Sequence, residues 1–412
     1  MNAEIITIGD ELLIGQTIDT NSVYLAKKLE EIGIKISRKT AISDKENEII
    51  EMLDSALNRV HVIIITGGLG PTKDDITKKT LATYFKSDWR IDDAVLDHLA
   101  TIFKNRGREL LETNKLQAEL PSKCETLFNA VGTAPGMWFS IKNKIVVSLP
   151  GVPNEVKYIT EHELIPKLNE SFGLNPVVHK TLVTLNIPES LLSKKLETFE
   201  TNLPTDFSLA YLPNYNCVKL RLSCHNPQIS EKEFENYFQI LQKEVGSNLF
   251  CVGDIQPAEF IANKLIEKNI SIATAESCTG GYIANQLIQV PGISSIMAGS
   301  IISYSNDVKR TELNVPHEYL ENFGAVSEQV AESMVIGVCQ KFNSSIGIST
   351  TGIAGPSGGT ETKPVGTIFI AVKFKDQTKV QKFRLLGNRI QFMERATNCA
   401  MMMVKEILEN HE

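Results

Sequence analysis

Short apolar runs alternate along this chain with longer stretches in which apolar residues return every three or four positions. The first pattern suits strands buried on both faces, the second the inward stripe of surface helices. AEIITI (3–8) and VHVIII (60–65) are runs of the first kind, and Leu25, Leu29 and Ile32 between them keep helical spacing. The start of the chain therefore predicts a βαβ unit. TGGLGPTKDDIT (66–77) follows, then a charged and mainly helical stretch to about residue 118. GMWFSI and KIVVSL (136–149) flank Lys142-Asn143 and predict a hairpin, followed by PGVPNEV (150–156) and a further helix. These elements describe an α/β domain over residues 1–170.

From 175 to 250 the pattern changes. HKTLVTLNI, FSLAYLP and NCVKLRLSC read as strands, and PESLLSKKLETF and SEKEFENYFQILQKEV as helices, which makes a small α+β module. SNLFCVGDIQP (247–257), with Gly253 and Pro257, reads as a linker. A third region, 254–412, alternates again: ISIATAES, AGSIISYS, SIGISTTG, GTIFIAVKF and TKVQKFRLL as strands, with helices between them. The Met and Ala positions of the closing helix, RIQFMERATNCAMMMVKEIL, predict core packing and not a cofactor box. The expectation is a multidomain α/β protein.

Composition narrows this. A chain of 412 residues with 42% hydrophobic and 22% charged residues is globular and long enough for several cores. Its start, MNAEIITIGDELL, has neither the basic opening nor the apolar stretch of a signal peptide, and no run approaches membrane-spanning length, so a cytoplasmic location is expected. Seven scattered cysteines without a C-x-x-C pair predict buried thiols, not a zinc site or disulfide framework. A net charge of −7 and a pI near 5.7 argue against a broad nucleic-acid face. The 175–250 module holds seven basic against eight acidic residues and no GXXG loop, so it is not read as an RNA-binding unit.

Two places carry candidate chemistry. Gly67, Gly68 and Gly70, with Thr72, place successive N–H groups at a helix start without Cβ atoms in the way, which suits an anion. Asp74 and Asp75 follow at once, and they fit either helix capping or a divalent cation bridging to phosphate. In ATAESCTGGY (273–282), Ser277 falls at a strand-to-helix corner that exposes a hydroxyl beside free N–H groups, although the GxSxG signature is absent. A serine there needs a base. His317 lies in a polar segment read as exposed loop, whereas Tyr304 and Lys309 in SYSNDVKR (303–310) follow a strand of the same domain. A buried lysine serves as base, a solvated one does not. Cys278 is the rival nucleophile, and the residues alone leave that choice open.

GDELLIGQTIDTN (9–21), TGGLGPTKDD (66–75) and PGVPNE (150–155) resemble the molybdopterin-binding-like domain of the CinA, competence/damage-inducible protein, family. The resemblance implies a MogA-like three-layer α/β fold that hydrolyses the pyrophosphate of ADP-ribose with a divalent metal (Mg, Mn or Co). By the same resemblance Gly67, Gly68, Gly70 and Thr72 hold phosphate, and Asp10, Glu11, Asp74 and Asp75 surround the metal. Asn21 and Glu155 lie near the substrate, with helix capping the equal alternative for Glu155. The order of elements in 175–250 resembles the family's KH-like insert, read as a spacer or dimer-forming element.

AESCTGG, GSIISYSNDVK and STTGIAGPSGG resemble the CinA C-terminal domain and stand-alone nicotinamide mononucleotide (NMN) amidohydrolases. This implies Ser277 as nucleophile, Lys309 as its base and Tyr304 in support, with no cofactor. It also implies substrate contacts from Cys278, Thr279, Gly280, Ser294, Thr351, Gly352 and Gly355, and a phosphate contact from Arg389, with Arg395 as second choice. Taken together, the resemblances imply a homodimeric, bifunctional enzyme of pyridine nucleotide recycling. The competing readings are a pterin- or nucleotide-binding scaffold and a DNA-uptake or repair accessory protein without N-terminal catalysis.

Overall fold

In the computed structural model, residues 1–70, 76–174, 177–214, 217–226 and 228–411 are described, and the chain forms two compact units, Met1–Val178 and His179–Glu412. The first is built on β1 (Asn2–Ile8), β2 (Lys35–Ile42) and β3 (Val62–Thr66), with β4 (Trp89–Ile91) and β5 (Glu119–Pro121) forming a separate ribbon. Strands β6 (Glu125–Leu127), β7 (Gly136–Ile141) and β8 (Lys144–Leu149) complete the main sheet in the order β2-β1-β3-β8-β7-β6. The predicted hairpin is β7–β8, turning at Lys142 with φ +53°. Alternate residues of the central strands feed two cores. Ile5, Ile64 and Val147 pack with Leu25, Leu29 and Ile159 on one face, while Ile6, Ile63 and Ile65 pack with Ile49, Leu53 and Leu81 on the other. That is the three-layer α/β arrangement.

The predicted βαβ start proves to be βαβαβ. The additional strand β2 pairs with β1 at the sheet edge, and its largely exposed, polar sequence KISRKTAI gave no apolar run to read.

The second unit begins with β9 (Val178–Leu185), β10 (Phe207–Asn214), β11 (Cys217–Cys224) and β12 (Leu249–Val252), ordered β10-β11-β9-β12. The segment read as a linker supplies β12, which pairs antiparallel with β9. One face of this sheet is covered by the helices Glu189–Thr201 and Glu231–Val245 through Leu192, Leu196, Phe234 and Phe238. From its other side Val183, Leu185, Phe250 and Cys251 enter one continuous core with Ile261, Leu265, Met401 and Val404. The middle module is thus packed onto the C-terminal region as part of one body.

That region holds β13 (Ile272–Glu276), β14 (Met297–Ile302), β15 (Ile346–Gly352), β16 (Thr367–Phe374) and β17 (Gln377–Arg384), ordered β14-β13-β15-β16-β17. The first three run parallel and the last two antiparallel. The closing helix, Arg389–Glu409, buries Ala400, Met401 and Met403 as the pattern predicted. None of the seven cysteines is paired in a disulfide, and all are buried. Among the described residues, no helix is long and apolar enough to cross a membrane.

Candidate active site

Strand β13 lies between two parallel neighbours with all five residues buried, so its carboxyl end is fixed from both sides. One residue further, the ladder continues. The Ser277 amide donates to the Thr350 carbonyl at 3.0 Å, and the Ser303 amide donates to the Glu276 carbonyl at 2.8 Å. The chain then turns into the helix Tyr282–Ile288 through Gly280 (φ +61°) and Gly281 (φ +93°), conformations costly for any residue with a Cβ. The Gly280 amide closes the turn on the Ser277 carbonyl at 3.2 Å. The amides of Cys278 and Thr279 bond no backbone carbonyl among the described residues.

Glu276, fully buried, holds this corner and was not singled out from the sequence. Its carboxylate accepts from the amides of Gly281 at 3.1 Å, Ile283 at 3.0 Å and Ala284 at 2.8 Å, and from the Thr274 hydroxyl at 3.2 Å. It therefore satisfies the orphan donors of the helix start and sits at the positive end of that helix. The readable signal was its place, an acid at the end of a buried strand just ahead of a glycine-led helix.

The helix Asn306–Leu313, whose N-cap Ser305 accepts from the Val308 amide at 3.2 Å, brings Lys309 to the corner. Lys309 is 1% exposed. Its Nζ lies 3.1 Å from Ser277 Oγ, 2.7 Å from the Ser303 carbonyl and 3.4 Å from the Tyr304 carbonyl. No carboxylate pairs with it among the described residues, and burial pushes its pKa below the ordinary 10.5. The solvated-lysine reading is thereby excluded. Tyr304 contributes its carbonyl, while its side chain is 65% exposed. His317 is exposed as expected, but it starts the short helix His317–Asn322 instead of lying in a loop.

The rival nucleophile is poorly placed. Cys278 is buried, and desolvation pushes its thiol up to about 12, so it stays protonated near neutral pH. Thr279 and Thr351 are at the same sheet edge, with hydroxyls already engaged, Thr279 with Thr350 Oγ1 at 2.7 Å and Thr351 with the Ala325 carbonyl at 2.6 Å. Gly352 ends β15, and Gly355 (φ +82°) lies in the loop beyond it, where its carbonyl accepts from Arg389 Nη2 at 3.1 Å. Arg395 instead donates to the Leu386 carbonyl and faces the middle module. Ser294 requires a correction. It precedes β14 in the turn Ile293–Ser295, and Met297 pairs with Ile272 at the start of β13, so a full strand length separates Ser294 from Ser277.

In the first unit, the carboxyl ends of β1 and β3 open onto a cavity of about 120 Å³ lined by Glu11, Asn21, Thr66, Gly67 and Gly151, among others. Asn21 Nδ2 donates to the Gly151 carbonyl at 2.7 Å. Gly67 approaches the β1 backbone so closely that a Cβ would lie 2.2 Å from the Ile8 carbonyl oxygen, and a Cβ on Gly68 would lie 2.2 Å from Thr77 Oγ1. Asp10 is exposed, and its amide donates to Asp44, an acid the sequence reading missed. Glu155 is turned onto the loop around Gly132, its carboxyl raised in pKa by burial and bonded to Asn129 and the Thr133 amide. It therefore does not cap its own helix, Pro153–Ile159, whose start has no side-chain cap bond. Thr72, Asp74 and Asp75 lie outside the described residues. Among the described residues no three His, Cys, Asp or Glu side chains converge as a metal site, so Asp10 and Glu11 do not by themselves fit a cation.

Comparison with known proteins covers both units. Residues 254–408 match the family model described as CinA C-terminal domain, and residues 4–170 match the one described as probable molybdopterin binding domain. A CinA-like protein from Flavobacterium psychrophilum is 44% identical, covering 100% of both chains. A CinA-like protein from Cytophaga hutchinsonii is 46% identical over 94% of this chain and 93% of its own. A solved competence/damage inducible protein from Agrobacterium tumefaciens, 32% identical, covers 37% of this chain and 97% of its own with a TM-score of 0.36.

Proposed function

Because the chain belongs to the CinA family, we propose that its C-terminal region hydrolyses the carboxamide of nicotinamide mononucleotide, with Ser277 as nucleophile and Lys309 as base. The observation that carries this reading is the set of three partners around Lys309 Nζ. A neutral amine has two N–H donors and one lone pair. The Ser303 and Tyr304 carbonyls can only accept, so they take both donors, and the lone pair is left for the Ser277 hydroxyl proton.

Ser277 Oγ then bonds to the amide carbon as its proton passes to Nζ, and the carbonyl electrons move onto oxygen. The Cys278 and Thr279 amides are the nearest candidates to receive that oxyanion, each such donor being worth about 2.7–4 kcal/mol of barrier. The Lys309 ammonium returns the proton to the leaving nitrogen, and the C–N bond breaks to release ammonia and an acyl-serine. Water, deprotonated by the again neutral amine, cleaves the ester to nicotinic acid mononucleotide. Ammonia release from NMN by wild type, Ser277→Ala, Cys278→Ala and Lys309→Ala tests this. Full activity in Ser277→Ala with loss in Cys278→Ala would reverse the assignment.

A second reading applies to the N-terminal domain, where the cavity beside Gly67 supports binding of a phosphorylated ligand, ADP-ribose by family resemblance. Hydrolysis there requires a divalent metal, with Asp74 and Asp75 as the remaining candidate ligands. Formation of AMP from ADP-ribose with Mg²⁺, Mn²⁺ or Co²⁺ is the test, and its absence with all three leaves a binding scaffold.

A further inference from the structure

The glycine-rich loop 353–366 leaves the same sheet edge that carries Ser277, since the Ser277 amide bonds the Thr350 carbonyl shortly before β15 ends at Gly352. Its two ends are zipped together. The Ile353 amide donates to the Thr367 carbonyl and the Gly366 amide to the Ile353 carbonyl, both at 2.8 Å. Further out, the Thr360 amide donates to the Lys363 carbonyl at 2.9 Å and the Lys363 amide to the Thr360 hydroxyl oxygen at 3.0 Å. A loop closed and cross-linked in this way keeps its own shape, so what remains to be fixed is how it stands over the sheet edge.

Among the described residues, two side-chain hydrogen bonds join this loop to elements other than β15 and β16. At its base Arg389 Nη2 donates to the Gly355 carbonyl. In its outer part Lys363 Nζ donates to the Phe323 carbonyl at 2.6 Å, passing 3.7 Å from where a Cβ on Gly324 would stand. The turn it grips is itself held. Thr351 Oγ1 donates to the Ala325 carbonyl at 2.6 Å, and Ser327, the N-cap of the helix Glu328–Phe342, donates its hydroxyl to the Gly324 carbonyl at 2.9 Å. One turn is thus gripped from the end of β15 by Thr351 and from the outer loop by Lys363. No carboxylate pairs with Lys363 among the described residues, so its ammonium serves the turn and not an ion pair.

We propose that Lys363 is a positioning residue for the substrate, strapping the glycine-rich loop to the Phe323–Ala325 turn and so setting where Gly355 and its neighbours stand beside a mononucleotide bound at Ser277. This rests on the amide-hydrolase reading of that corner. The strap acts on binding and not on proton transfer, because Lys309 Nζ takes its partners from Ser277, Ser303 and Tyr304 and none from the loop. Without the strap the loop divides among several positions, and apparent affinity falls with the fraction still in place.

Two measurements on the full chain test this: hydrogen exchange read on peptides within 353–366, and steady-state ammonia release from NMN. Lys363→Met, which keeps the stem and removes the donor, is expected to exchange faster in 353–366 while β13 and the helix Asn306–Leu313 exchange as in wild type. Its KM should rise about five- to tenfold with kcat within about twofold of wild type. Lys363→Arg, which keeps a charged donor, is expected to restore both. Unchanged exchange in Lys363→Met overturns the strap, whether or not NMN is a substrate. Faster exchange with an unchanged KM overturns the positioning role, as does a Lys363→Arg variant no better than Lys363→Met. A wild type that releases no ammonia from NMN overturns the amide-hydrolase reading and the positioning role with it, while the exchange comparison still decides the strap.

Discussion

Replacing Lys309 by Met removes the amine while leaving a side chain of similar length in the same buried slot. If Lys309 is the general base, the loss of proton transfer lowers kcat by about 10²–10⁴-fold. The same substitution has a signature in stability. Burial lowers the folded-state pKa of Lys309 below 10.5, so between the two values the unfolded chain holds one more proton than the folded chain. Wild-type stability must therefore rise with pH across that window, by at most about 1.4 kcal/mol per pH unit for one proton. The penalty is fully present below the folded pKa and gone above 10.5. Lys309→Met lacks this contribution, so the stability of wild type relative to the variant climbs as pH increases. Urea denaturation of both proteins from pH 6 to 10, paired with ammonia release from NMN, measures the two effects. The wild-type rate should rise along a limb whose apparent pKa lies below 10.5. A variant that retains a tenth of the activity, or a stability difference flat with pH, refutes the neutral-base argument.

Other consequences follow from neighbouring residues. Ser277→Ala should lose on the order of 10³-fold or more in ammonia release, whereas Cys278→Ala should stay within tenfold of wild type, because its thiol is buried and protonated. Glu276→Ala strips the acceptor from three amides of the helix start and should cost on the order of 3 kcal/mol in urea denaturation, with Glu276→Gln recovering part of it. Gly337 lies in the helix Glu328–Phe342, and Gly337→Ala would put a Cβ 2.1 Å from the carbonyl oxygen of Leu313 and so push away the helix that carries Lys309. A loss of about 1–3 kcal/mol together with a fall in kcat is expected, and unchanged values for both would show that the two helices tolerate separation.

What could be read in advance was what repeats or punctuates. Buried strands such as VIIIT (62–66) and IATAE (272–276) announce themselves by apolar content, and the glycines at 280 and 281 mark the corner. Strand β2 escaped because an edge strand needs only its backbone to pair. Strand β12 escaped because LFCV is too short to stand out beside Gly253 and Pro257. In the site, Ser277 and Lys309 were legible as residue types. Their 3.1 Å approach was not, since it depends on two helix starts 25 residues or so apart meeting at one sheet edge. Ser294 was misplaced because likeness of motif carries no information about which end of a strand a loop occupies.

The corner joins a buried acid, Glu276, and a buried amine, Lys309. A carboxylate one residue before Ser277 would ordinarily be the natural partner for a lysine in the same site, and an ion pair between them would hold the amine protonated and unfit for the proposed role of base. The fold prevents this by turning Glu276 away into the start of the helix Tyr282–Ile288, where three amides and the positive end of the helix dipole satisfy its charge. Lys309 is left with two carbonyls and a hydroxyl and no charged acceptor, so burial lowers its pKa without an ion pair to oppose it. The acid thus acts twice, fixing the turn that presents Ser277 and keeping its own charge out of reach of the amine. A design that moved the carboxylate across to Lys309 would gain an ion pair and lose the base proposed for Ser277.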